Sequence, residues 1–254
     1  MIWNLDPVLL HLGPLEIRYY GVFFALGLFL AYTLARHMVQ KRKLSLEALD
    51  SLAVYLIIGL IVGARLGHIV FYELDYYLAN PMQILKIWEG GLASHGAAIG
   101  LLVAYGLFLW RHKKVKFSDY ADIIVVAGTL PVSLIRLGNF FNSELLGRPT
   151  DAPWGVVFSR VDDLARHPSQ LYEFAYGLLL FAILFPLWEN KYKKAKPGLF
   201  FGLFFMLYFA MRFTVEFFKD FPLHESFFNL TTGQILSLPF FILGAVVLFR
   251  TIRS

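Results

Sequence analysis

The sequence predicts an all-α integral membrane protein. Seven transmembrane helices are expected, with the N-terminus outside, the C-terminus in the cytoplasm and a small mixed cap on the outer face. Three observations predict this. The 254 residues are 58% hydrophobic and include 26 Phe, with a mean hydropathy of +0.61, whereas soluble domains are about 45–50% apolar. Seven apolar runs approach the ~20 residues a helix needs to cross the hydrocarbon core. The charged loops between them alternate in basicity, as positive-inside topology requires.

Taken in order, residues 1–18 form an arm whose apolar residues beside Pro7 and Pro14 suit the membrane interface. No short hydrophobic segment with a small-residue cleavage site is seen, so no removable signal peptide is expected. The spans are read at 19–35, 52–71, 91–110, 120–135, 171–188, 198–218 and 233–249. The fourth is short, and Pro131 within it predicts a kink or an irregular end.

Of the 23 Lys and Arg, 14 fall in Arg36–Lys43, Arg111–Lys116, Lys191–Lys196 and the tail with Arg250 and Arg253. These stretches follow the first, third, fifth and seventh spans. The other loops are poor in positive charge, Lys86 and Lys219 being the lone cations of 73–89 and 219–232. The net charge of +5 therefore reports topology and contact with anionic membrane lipids, and no nucleic acid partner. The chain divides into the arm (1–18), helices one to four (19–135), a signature stretch with the outer cap (136–170), and helices five to seven (171–254). Within the cap, the Gly, Pro and Trp of Arg148–Arg160 predict a β element around Trp154–Arg160. No internal repeat or low-complexity tract is visible.

The chemistry is carried by polar residues a membrane span does not tolerate without reason. The stretch Arg136–Gly147 (RLGNFFNSELLG) holds a guanidinium, two amides (Asn139, Asn142) and a carboxylate (Glu144). Arg136, Asn139 and Asn142 step by three and share a face if the helix continues. Arg65 and His68 sit near the outer end of the second span. His95 lies in a Gly-rich start to the third. Tyr208, Arg212 and Glu216 form one stripe on the sixth. Each has a plainer reading. Arg136, Arg65 and His68 can snorkel to the headgroups, Arg212 and Glu216 can be an intrahelical pair, and His95 can be a packed polar residue. Together they point elsewhere: two guanidiniums near the outer leaflet suit a lipid phosphate, and a histidine at similar depth supplies a base. The chain has no cysteine, which excludes disulfides, thiolate metal sites and an enzyme-borne thioester. No cluster at metal-ligand spacing is seen, so neither metal nor cofactor is expected.

These residues resemble the prolipoprotein diacylglyceryl transferases of the bacterial inner membrane over essentially the whole chain. The resemblance rests on Arg18-Tyr-Tyr20-Gly21, His95–Gly100, the signature Arg136–Gly147, His167–Glu173 (HPSQLYE), Tyr208–Phe218 and Leu230–Pro239. Members often carry Gly-Gly after the histidine, where this chain has Gly96-Ala97, a small-for-small change. The resemblance implies transfer of a diacylglyceryl group from phosphatidylglycerol to the lipobox cysteine of a prolipoprotein signal peptide, leaving a thioether and glycerol phosphate. The positive-inside topology puts that active site toward the outer leaflet. Arg136, Arg212, Tyr20 and Asn139 would bind phosphatidylglycerol, the two arginines holding its phosphate, and Asn142, Glu144, Gly147, Tyr208 and Glu216 would support the site. His95 would be the base. The substrate brings the cysteine, so an enzyme without one is consistent.

Two rivals are weighed. A CDP-alcohol phosphatidyl transferase needs repeated metal-binding Asp on helices, and the close pair beside a span, Asp119 and Asp122, falls on the cytoplasmic side. A transporter of an anionic substrate tends to show inverted repeats and broken central helices, which this chain lacks. The Asn229-Leu-Thr231 triplet is a chance match to a glycosylation site.

Overall fold

A computed structural model describes residues 1–13, 15–87, 90–220 and 230–253. The side chains of Leu15, Ser94 and His95, Pro14 of the arm and Asn229 lie outside the described residues. The described residues form eight α-helices and five short strands. Six helices are long and apolar enough to cross a membrane: α1 (Tyr19–Lys41), α2 (Leu46–Tyr72), α5 (Phe117–Phe141), α6 (Ser169–Lys191), α7 (Leu199–Glu216) and α8 (Thr232–Arg253). The third expected span is α4 (Ser94–Arg111), whose apolar part, Gly96–Arg111, is shorter. The fourth, expected at 120–135, belongs to a longer helix that continues through Pro131 to Phe141. Its last turn looked like a loop because its residues are polar, yet those residues find partners inside the protein.

The chain divides into two compact units, 39–120 and 1–38 with 121–254. In the first, Ser45 caps α2 by accepting from the Ala48 amide at 3.1 Å. A short helix α3 (Leu74–Ala79) and a 3₁₀ turn (Pro81–Leu85) follow. Helices α2 and α4 then meet backbone to backbone. Gly59, Gly63 and Gly67 recur every fourth residue on α2, and a Cβ on any of them would collide with Gly96, Gly100 or Ala104 of α4. In lipid, where burial of apolar side chains drives little helix association, such close approach supplies the packing. Arg65 is not snorkelling: it is 5% exposed and donates to the carbonyls of Ile84 (3.0 Å), Gly90 (2.6 Å), Gly91 (3.1 Å), Lys86 (3.3 Å) and Gln83. Gly91 has φ +69, and a Cβ there would strike Arg65 and His68. Arg65 thus neutralises the carbonyls of an irregular loop that lipid could not satisfy.

In the other unit the N-terminal arm joins the cap. Strand β1 (Ile2–Trp3) runs parallel to β4 (Val156–Phe158), which pairs antiparallel with β5 (Ala165–Arg166). The expected β element is therefore present. Strands β2 (Val8–Leu12) and β3 (Leu15–Arg18) form a hairpin. Trp3 packs on Phe140 and Phe141 at ring-centroid distances of 4.5 and 5.3 Å. Phe140, Val156 and Phe158 form a small core there, seating the cap on the end of α5. At the opposite end of α5, Asp122 caps α7 by accepting from the amides of Gly198 (2.9 Å) and Phe201 (2.8 Å). A buried carboxylate spent on a helix N-terminus is not a metal ligand, which removes the Asp pair from the metal-dependent rival.

Candidate active site

The site is built where α5, α6 and α7 meet, all within the unit 1–38 with 121–254. Its centre is Glu173 on the second turn of α6, whose side chain is 1% exposed. Three cations converge on it. Arg136 Nε from α5 lies 3.1 Å from Oε2, Arg212 Nη1 from α7 lies 3.3 Å from Oε1, and Lys219 Nζ lies 3.0 Å from Oε1. Lys219 also reaches Oε2 of Glu216 at 3.2 Å, one turn back. Glu216 in turn is wedged against Gly233 at the start of α8, where any Cβ would collide with its carboxylate. A buried charge without partners costs several kcal/mol, so the five groups hold one another in place.

The signature stretch builds one wall. Arg136 and Asn139 lie on the last turns of α5 and share the expected face, whereas Asn142 falls just beyond the helix end at Phe141. Arg136 Nη1 donates to Asn139 Oδ1 at 3.5 Å, and Asn139 Nδ2 donates to Glu144 Oε2 at 3.3 Å. Asn142 Nδ2 donates to Glu144 Oε1 at 2.7 Å. The chain folds back after the helix through Ser143 (φ 56) and Leu145 (φ 54), and the Glu144 amide donates to the Asn139 carbonyl at 2.9 Å. Gln170 and Ser169 at the start of α6 bind the carbonyls of Glu144 and Leu145. Gly147 is required by space: a Cβ there would strike the carbonyls of His167 and Phe218. Its backbone bridges Lys219, which fixes the segment that carries the third cation.

Aromatic groups complete the cluster. Tyr20 on the first turn of α1 packs on Gly138, where a Cβ would fall 2.9 Å from its ring, and lies in electrostatic reach of Glu144 and Arg136. Tyr208 on α7 is within hydrogen-bonding reach of Arg136 and meets Tyr176 of α6 edge-on at 5.6 Å.

Outside the spans, Arg166 is a second junction. It binds Asp162 (2.6 Å), Asp220 (2.6 Å) and the carbonyl of Gly147 (3.2 Å). Its hydrogen bonds hold the Asp162 carboxyl below its ordinary value. Beside it, burial and then the charge of Arg148 push the His167 imidazole down, while Nδ1 lies 3.0 Å from the Tyr172 hydroxyl.

Nine of the residues singled out in the sequence therefore come together: Tyr20, Arg136, Asn139, Asn142, Glu144, Gly147, Tyr208, Arg212 and Glu216. His95 is on the first turn of α4, in the other unit, and its side chain lies outside the described residues. Two members of the cluster were not singled out. Glu173 stood in view as a carboxylate just inside an apolar run. Lys219 looked like an ordinary loop charge, although it follows Glu216 by three, the spacing of helical neighbours. Among the described residues no group of three or more His, Cys, Asp or Glu is placed to hold a metal.

Residues 7–250 match the sequence pattern of the family described as prolipoprotein diacylglyceryl transferase. The chain belongs to that family. Among similar proteins, the phosphatidylglycerol–prolipoprotein diacylglyceryl transferase of Tolumonas auensis is 46% identical, the alignment covering 100% of this chain and 98% of that protein. The protein of the same name from Chloroherpeton thalassium is 40% identical over 100% and 95%, and that of Geobacter sulfurreducens 42% identical over 95% and 93%. For a prolipoprotein diacylglyceryl transferase, two guanidiniums meeting at one carboxylate are a chemically sensible centre, because both the lipid donor and the departing group carry phosphate.

Proposed function

We propose that the chain transfers the diacylglyceryl group of phosphatidylglycerol to the thiol of the lipobox cysteine of prolipoproteins, the first step of bacterial lipoprotein maturation. The observation that carries the reading is the meeting of Arg136 and Arg212 on Glu173. Around Glu173 three cations (Arg136, Arg212, Lys219) meet two carboxylates (Glu173, Glu216), and the third carboxylate of the site, Glu144, is held by the amides of Asn139 and Asn142. Two converging guanidiniums suit a phosphodiester. Glu173 holds Arg136 by Nε and Arg212 by Nη1, and the N–H donors that Arg136 does not give to Asn139 and Tyr208, with the rest of Arg212, serve the lipid phosphate.

In the reaction the sulfur of the substrate cysteine attacks the glycerol carbon that bears the phosphate. The S–C bond forms, the C–O bond breaks, and its electron pair stays on the oxygen of departing glycerol phosphate. The phosphate gains a negative charge in that step, and preorganised guanidiniums stabilise it most where the charge grows. His95 takes the thiol proton. A free thiol has a pKa of about 8.5, so modest help suffices. Tyr20 and Asn139 help bind the lipid, and Asn142, Glu144, Gly147, Tyr208 and Glu216 support the site and orient the guanidiniums.

The same reading sets the topology. Seven spans, counting α4, put the basic loops in the cytoplasm and the N-terminus, cap and cluster toward the outer leaflet of the inner membrane, where secreted preproteins emerge. The arm of residues 1–18 rests at the interface. The test is transfer of glycerol-labelled lipid to a lipobox peptide, with a Cys→Ser peptide as control and EDTA in parallel. Label on the Cys peptide alone, unaffected by EDTA, supports the transferase. A well-folded protein that leaves the peptide unlabelled overturns it.

A further inference from the structure

We infer that the hydroxyl of Tyr176 is a third donor to the lipid phosphate, beside Arg136 and Arg212; the inference rests on the reaction proposed above. Tyr176 lies one turn beyond Glu173 on α6 and is 7% exposed. Its ring packs with Leu180, Val215 and Tyr208. Its hydroxyl is buried and has no hydrogen-bond partner among the described residues, although buried tyrosine hydroxyls are ordinarily bonded. Tyr208, Glu173, Arg136 and Arg212 lie in electrostatic reach, yet the hydroxyl is hydrogen-bonded to none of them, and guanidiniums cannot accept a hydrogen bond. Glu173 Oε2 and Glu216 Oε2 are likewise buried without a hydrogen-bond partner, so the cluster's own acceptors do not meet the hydroxyl. A phosphate drawn in by Arg136 and Arg212 supplies an oxygen that does.

Tyr176 forms and breaks no covalent bond. Its O–H donates to a non-bridging phosphate oxygen, and that bond strengthens as the C–O bond breaks and the charge on phosphate rises. A neutral donor adds no repulsion to the two guanidiniums.

The decisive variant is Tyr176→Phe, which keeps the ring and removes one oxygen. No hydrogen bond is lost from the resting protein, so its melting temperature in detergent should be equal or higher. The kcat for transfer from phosphatidylglycerol should fall roughly tenfold to a hundredfold, with KM within about twofold. A phosphorothioate donor sharpens the test. Sulfur at the oxygen Tyr176 binds should slow the native protein, and Tyr176→Phe should lose that sensitivity for one diastereomer. A kcat within about twofold of native, a rate loss matched by a lower melting temperature, or thio-sensitivity unchanged for both diastereomers overturns the inference, a trapped water then being the hydroxyl's partner. Native protein that fails to transfer at all removes the proposed reaction, and this inference with it. Native turnover beside an equally active Tyr176→Phe removes this inference alone.

Discussion

The helix pair α2–α4 and the junction of α5, α6 and α7 solve one problem in opposite ways. Both must hold helices together in a solvent that does not drive apolar side chains inward. The first uses absence: glycines at every fourth position remove side chains until backbones touch. The second uses charge: Glu173 and the four charged groups around it are costly singly and stable only together. A seam of glycines fixes distance but offers no chemistry. A charged junction spends stability on holding groups that attract a ligand.

Four experiments break or sharpen that contrast. The largest effect is expected at the guanidiniums. Arg136→Ala and Arg212→Ala should each cut transfer by about 10²–10³ while the protein still inserts. Lys at either position should rescue poorly, lacking the planar fork; turnover near native in any of these would break the phosphate assignment. Next comes Glu173→Gln, which leaves Arg136 and Arg212 without their carboxylate and Lys219 with Glu216 alone. It should cost about 3 kcal/mol of stability and most of the activity, read by thermal unfolding in detergent beside the transfer assay. A stable, active variant would show that the cluster does not depend on its central carboxylate. Gly63→Val, whose side chain would meet the backbone of Gly96 and Gly100, should cost about 2 kcal/mol and lower activity only as far as folded protein is lost. A specific loss of kcat would mean the seam does more than pack. The smallest effect is a pH slope from the cap. The folded His167 pKa lies below its ordinary 6.5, so the fold favours neutral imidazole. Stability is full above pH 6.5 and declines as pH falls from there through the folded value. Asp162, lowered from 3.8, adds a loss in the same direction only in stronger acid. His167→Gln should flatten the first slope; unfolding midpoints at pH 7.5 and 5.5 would measure it.

The sequence made most of the fold legible because lipid imposes so few solutions. Apolar length located every helix that spans or nearly spans. It failed at boundaries where polar residues are satisfied by protein rather than water. Arg136 and Asn139 looked like a helix end by hydropathy, yet they belong to α5 because Glu173 and Glu144 receive them. Arg65 resembled a snorkelling cation until the loop carbonyls it binds were visible. The cluster was half legible for a related reason. Arg136 and Arg212 stand out as charges in apolar runs, whereas Glu173 and Lys219 acquire meaning only when α6 and the end of α7 are brought together. The pairing of the N-terminal strand with the cap joins residues some 155 positions apart, and no local pattern encodes it.

The way α5 and α7 are tied together governs how the cluster meets bilayers of different thickness. Asp122 ties α5 to the first turn of α7 through Gly198 and Phe201, and Glu173 ties the far ends through Arg136 and Arg212. Asp122 to Arg136 and Gly198 to Arg212 are both fourteen residues, about 21 Å of helix in each case. Two rods of equal length pinned at both ends cannot slide past each other. When the surrounding lipid thins or thickens, α5 and α7 therefore tilt as one body, and the separation of the two guanidiniums stays constant across membranes of differing composition.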